Sequence, residues 1–161
     1  MGAGAGLASG ERMQPRPSMA VLLDHVSRHG LADPVLATGA LVATLRMLAE
    51  RLHDEEAAAL ARTLPPELQR LVEETEHDVD FDAFEGYRRI ARALAVPSDD
   101  ARARADIVMR GIGELIGGDL VTRLEAALPE RLTRTLRPVE HDIPSRSSGV
   151  WRTLSSYHPS R

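Results

Sequence analysis

The chain has 161 residues, 43% of them hydrophobic but only 3% aromatic, and a net charge of −4. It is long enough for one domain with an aliphatic interior, and its charge gives no global pull toward nucleic acid or anionic lipid. The absence of cysteine excludes disulfides, thiolate nucleophiles and zinc–thiolate sites, and with all 20 basic residues arginine, Schiff-base chemistry and a P-loop lysine are excluded too.

Residues 1–17 are rich in Gly and Ala, then contain Pro and Arg, and read as a flexible leader. They lack the charged-then-apolar order of a signal peptide, and Met13 or Met19 would serve equally as a start. No apolar run approaches the ~20 residues of a spanning helix. A cytoplasmic protein without a membrane segment is expected.

Ser18 reads as an N-cap, followed by Met19, Leu22, Leu23 and Val26 at helical spacing, with Gly30 as a left-handed stop. Asp33-Pro34 starts the next helix, because proline at the first helical position loses only an N–H that has no partner there. That helix carries Leu41, Leu45, Leu48 and Leu52 on one face and ends at His53-Asp54, with Asp54 expected to cap a short helix through Leu60 and Arg62. Leu64-Pro65-Pro66 breaks the chain before a further short helix, from Glu67 to about Glu74.

An acidic connector follows. At its end Asp82-Ala83-Phe84-Glu85 has the spacing of a capping box. The helix it opens is predicted to bury Phe84, Tyr87, Ile90 and Leu94. Pro97-Ser98 is predicted to cap a second long helix with Val108, Ile112, Leu115 and Ile116 inward. Gly117-Gly118-Asp119 makes a corner, a short helix runs to Ala127, and Leu128-Pro129 begins a last turn-helix ending near Leu136. From Pro138 the helical period disappears, so 138–161 reads as a disordered tail, unless its rings Trp151 and Tyr157 dock on the domain.

The chain repeats itself at an offset of 64: Arg46, Leu48, Glu50, Leu52, Leu60, Leu64, Pro65 and Leu68 fall on Arg110, Ile112, Glu114, Ile116, Leu124, Leu128, Pro129 and Leu132. A fixed offset means one supersecondary unit used twice. The expected fold is therefore all-α: two repeats of a three-to-four-helix unit, 18–74 and 82–137, joined by the connector 75–81. Each alone would bury too little surface, so they are expected to pack as one helical bundle about a pseudo-twofold axis. Residues 1–80 hold 7 Arg against 13 acids and residues 81–161 hold 13 Arg against 11, so the halves attract each other or the complementary half of a second molecule.

The repeat motif reads Val26-Ser27-Arg28-His29-Gly30-Leu31 then Leu64-Pro65-Pro66-Glu67-Leu68, and again Phe81-Asp82-Ala83-Phe84, Gly117-Gly118-Asp119 and Leu128-Pro129-Glu130. In this pattern, over about Met19 to Leu136, the chain resembles the bacterial "domain of unknown function 2267" family. The resemblance implies an all-helical fold and a bacterial origin. It implies no activity, because that family is named for lacking one, and no catalytic residues carry over. The Gly/Ala leader and the Trp-containing tail depart from the family pattern.

His25 and His29 stand four apart on a helix, a metal-ligand spacing if Asp24 or Asp33 joins them, although both also suit the flank of an amphipathic helix. Their second-repeat equivalents are Arg89 and Ala93. Asp78-Val79-Asp80-Phe81-Asp82 starts like a calcium loop but has Ala83 and Arg89 where Gly and a bidentate Glu are required. Gly111-Ile112-Gly113 and Gly117-Gly118 follow no strand, so a phosphate loop lacks its context; close helix approach near the pseudo-twofold axis explains Gly111 and Gly113. Arg88, Arg89, Arg92, Arg102, Arg104 and Arg110 form the most basic stretch; interleaved acids and few aromatic rings favour a solvated face over nucleic acid. Ser147-Ser148-Gly149 lies in the tail and forms no nucleophile elbow.

The sequence thus specifies no reaction. The expected function is a non-enzymatic helical interaction or scaffold module, with an unidentified protein partner or a second copy, and no catalytic, cofactor or metal residues assigned. The alternatives are a small-ligand or metal protein using His25 and His29, and a weak nucleic-acid binder through the second repeat's arginines.

Overall fold

The computed structural model describes residues 16–78 and 80–137. Among these the chain forms eight helices and no strand: α1 (Met19–Arg28), α2 (Pro34–Arg51), α3 (Asp54–Ala61), α4 (Pro66–Glu74), α5 (Ala83–Leu94), α6 (Ser98–Leu115), α7 (Gly118–Ala127) and α8 (Glu130–Thr133). The expectations for residues 1–15 and for the 138–161 tail, Trp151 and Tyr157 included, lie outside the described residues. Of the leader, Arg16 donates to the side-chain carbonyl of Gln69 on α4. No helix among the described residues is long and apolar enough to cross a membrane.

Local chemistry sets the helix starts. The side chains of Ser18, Asp33 and Asp82 accept from the N–H groups of Val21, Val35 and Glu85, satisfying donors that have no partner inside the helix. Gly30 takes φ +128° just past the α1 cap, a conformation that suits glycine alone. Two expected caps shift by one residue. His53, not Asp54, is the extended residue before α3, and Asp54, Glu55 and Glu56 fill the first turn, where the helix dipole favours acids. Likewise Pro97 has the extended backbone before α6, and Ser98 is already helical. The Glu85 half of the capping box is diverted, because its carboxylate lies near Arg88 and Arg89 instead.

The helices bury one continuous core. Leu41, Leu45 and Leu48 line α2 as expected and Leu52, the extended residue that ends it, is buried with them, but Ala37, Ala40, Ala43, Thr44, Met47 and Ala49 are buried as well. The helix is central: α1, α4, α5 and α6 all pack on it, so it is covered nearly all round. Helix α1 also lies across α6 and α5 across α2, which interleaves the N-terminal and C-terminal halves.

Glycine permits a close crossing of α6 over α1. A Cβ on Gly111 would stand 3.0 Å from Val26 Cγ2 and 3.2 Å from its backbone nitrogen, so the missing side chain is what lets α6 approach α1.

Phe84 corrects the predicted α5 face. The buried stripe runs through Ala83, Gly86, Tyr87 and Ile90, whereas Phe84 lies beside it and is 66% exposed, with the Arg88 guanidinium 5.9 Å from its ring centre. Tyr87 is buried and donates its hydroxyl proton to the Arg131 carbonyl at 3.0 Å, tying α5 to the α8 turn.

Candidate functional site: two histidine–carboxylate clusters

The first cluster joins α1 to α6. His25 and His29 stand one turn apart, so both imidazoles leave the same side of α1. His25 Nδ1 lies 2.6 Å from Glu114 Oε2, and His29 Nε2 lies 2.5 Å from Glu114 Oε1. Each imidazole holds one oxygen of a single carboxylate whose side chain is 32% exposed. Partial burial pushes the Glu114 carboxyl up, but the hydrogen bonds from His25 and His29 outweigh it and hold the group below the usual range.

The carboxylate expected from the first repeat is not the one used. Asp24 pairs with Arg28 at 2.6 Å within α1, and Asp33 caps α2, so both are engaged locally. Glu114, 85 residues beyond His29, takes the place instead. The contacts are hydrogen-bond distances. A tetrahedral metal with bonds of ~2.0–2.1 Å would hold its ligand atoms ~3.3 Å apart, so the geometry is that of a clasp rather than of co-ligands.

Arg89 makes a matching contact from α5 to α2. Its Nη1 donates to Glu50 Oε2 at 2.9 Å and its Nη2 lies 2.7 Å from Asp78 Oδ2, while the guanidinium stacks 4.2 Å from the Phe81 ring centre. Desolvation works against the Arg89 charge, but Glu50 and Asp78 more than restore it and raise its pKa. His25 and Arg89 are 64 residues apart, as are Glu50 and Glu114.

The second cluster sits where the chain leaves α2 and returns after α4. His77 donates Nδ1–H to the Leu52 carbonyl at 2.7 Å, and the Asp78 N–H donates to the Glu50 carbonyl at 2.8 Å. These bonds satisfy carbonyls at the end of α2 that its own ladder leaves open. They also bring the His77 ring to 4.4 Å from that of His53, tilted by 37°. Asp80 Oδ1 stands 4.0 Å from His77 Nε2 and 3.2 Å from Arg51 Nη1. Arg51 itself donates Nε–H to the Phe81 carbonyl at 2.9 Å, which anchors the connector.

The three acids that began like a calcium loop diverge: Asp78 goes to Arg89, Asp80 to Arg51, and Asp82 to the α5 cap. In the sequence His53 is legible only as part of a corner, and its approach to His77 is not. The signal was faint: two histidines flanking the α3–α4 hairpin, whose ends must meet if its helices are antiparallel.

Several arginines of the basic stretch are engaged by neighbours. Arg88, Arg89 and Arg92 surround Glu85 at 3.8, 3.4 and 3.9 Å, and Arg102 lies over the Tyr87 ring at 5.9 Å. Of these, Arg89 alone reaches acids of the first half, Glu50 and Asp78, while Arg88 and Arg92 pair with Glu85 on their own helix.

No curated protein matches the chain. Residues 20–136 match the family described as "Uncharacterized conserved protein (DUF2267)", a span that takes in every helix except the first residue of α1. The capped helices, the shared aliphatic core and this match over most of the 161 residues place the chain in one family: it belongs to DUF2267.

Proposed function

We propose that this protein is a non-enzymatic helical interaction module of a bacterial cytoplasm, built from two like units related by a pseudo-twofold axis. Support for the duplicated architecture comes from helix boundaries. Pro34 and Ser98 begin the long helices and Arg51 and Leu115 end them, each pair 64 residues apart. The His25–Glu114 and Arg89–Glu50 pairs recur at the same offset, each joining the first helix of one unit to the long helix of the other.

The interaction role rests on one observation. Val35 and Leu36 are consecutive on the first turn of α2 and are 78% and 42% exposed. The turn is already fixed by the Asp33 cap and Pro34, so neither apolar side chain is needed to start the helix. Covering them with an apolar partner surface would remove them from water at about 25 cal/mol per Å2. A second copy of the chain is the occupant we favour, since it supplies the same patch and a complementary bias of charge between halves.

Sedimentation velocity over a concentration series tests the idea. Reversible association is expected, lost in a Val35→Glu/Leu36→Glu variant whose circular dichroism is unchanged. A strict monomer at every concentration would remove self-association. Turnover found in an unbiased metabolite screen would overturn the non-enzymatic reading.

A further inference from the structure

We propose that His53, His77 and Asp80 form a binding site for a divalent transition metal of the zinc class, at the corner where α2 ends and the α4–α5 connector returns. The three side chains each present a ligand atom, and these atoms lie within 4.8 Å of one another. A four-coordinate ion needs ~3.3 Å between ligand atoms, so closure by ~1.5 Å or less suffices. All three residues are exposed, and with His77 tied to the Leu52 carbonyl and Asp80 to Arg51, the closure falls mainly to the His53 side chain.

His77 is already held in the orientation of a metal ligand. Its Nδ1–H is committed to the Leu52 carbonyl, so in the neutral ring the lone pair is on Nε2, which lies 4.0 Å from Asp80 Oδ1. A ring N–H on a backbone carbonyl is the arrangement by which metal-binding histidines have their tautomer and direction fixed. Here the fixing bond is present because the end of α2 requires it.

The ligand set selects the ion. Two imidazoles and one carboxylate suit Zn2+, Co2+ or Ni2+, whereas Ca2+ and Mg2+ require mostly oxygen. Glu56 lines the same open groove of about 420 Å3 as His53 and Asp80, so a fourth protein oxygen is within the groove. Arg51 opposes binding by its charge and also holds Asp80 in place, and Arg123 lines the far wall. The site is therefore one for an exchangeable ion, held at a corner that joins α2, α3 and the connector. It is separate from the His25–Glu114–His29 clasp, whose carboxylate already has an imidazole on each oxygen.

The test is titration of the untagged full chain with ZnCl2 by calorimetry, with CoCl2 as a spectroscopic probe. One Zn2+ per chain is expected, with Mg2+ at the same concentration giving no heat. His53→Gln and Asp80→Asn, both at exposed positions, should each weaken Zn2+ binding tenfold or more, and His29→Gln should leave it unchanged. The Co2+ adduct should show visible d–d bands that disappear in His53→Gln. Absence of saturable Zn2+ binding, or binding that survives both substitutions, would overturn the proposal. So would abolition of binding by His29→Gln. Circular dichroism of each variant reports whether the fold is retained, and none of these readouts depends on the Val35–Leu36 patch.

Discussion

Gly113 gives the sharpest test of how the C-terminal turn is held against α6. Built onto its backbone, a Cβ would fall 1.8 Å from the Leu136 carbonyl oxygen, 2.7 Å from the carbonyl carbon and 3.1 Å from its Cα. All three are backbone atoms, so no rotamer change relieves the overlap; the segment carrying Leu136 must move. Leu136 is among the most buried side chains of the core. Displacing it forfeits part of the ~1.5–3 kcal/mol of a fully buried leucine and adds roughly 1–3 kcal/mol of overpacking. Replacing glycine by alanine inside a helix returns about 1 kcal/mol. Gly113→Ala should therefore lower stability by about 2 kcal/mol, a fall in Tm of roughly 4–8 °C for a chain of this size. The same substitution at Gly118 is the control: it opens α7, meets nothing within 4 Å, and should be neutral or stabilising by up to about 1 kcal/mol. Urea and thermal unfolding of both variants decide the matter. A Gly113→Ala protein at least as stable as its parent would refute the close approach.

Three further outcomes follow from particular contacts. The Glu114 pKa is depressed in the fold below the ordinary 4.5, so the clasp contributes stability above that value and loses it as pH falls through the folded pKa. Glu114→Gln should lower Tm at neutral pH and flatten the acid limb of the Tm–pH curve; an unchanged limb would contradict the clasp. Thr44 is fully buried on α2 and its hydroxyl has no hydrogen-bond partner among the described residues, so Thr44→Val should stabilise by about 1 kcal/mol in urea unfolding. Phe84→Ala should change stability by no more than ~0.5 kcal/mol, whereas Leu41→Ala should cost about 2–5 kcal/mol in the same assay.

What could be read in the sequence was what local chemistry decides. Ser18, Asp33-Pro34 and Asp82 announce helix starts because a cap satisfies N–H groups two or three residues away. The leucines of α2 announce a buried face because their spacing matches the helical period. The same period misplaced Phe84, since an apolar residue on a first turn can be in phase with a seam that its neighbours do not reach. Nor could period show that α2 is covered nearly all round; that depends on how many helices surround it, which is a property of the assembly. Alanines carried the clue, being small enough to face other helices on every side.

The clusters were the least legible because their members are brought together by tertiary packing. His25 and His29 advertise a shared side of α1, but their partner is fixed by where α6 crosses, and Asp24 and Asp33 were closer in sequence and already engaged. The crossing in turn depends on Gly111, whose missing side chain admits Val26. Thus a glycine first explained as a packing device also sets which carboxylate the histidines meet. His53 and His77 obey the same logic at the C-terminal end of α2, where open carbonyls recruit the returning chain and bring its imidazole beside another. In both places a backbone requirement comes first and the polar cluster follows from it. A substitution that moves the backbone should therefore dismantle the cluster, while one that removes a histidine should leave the helix crossing in place.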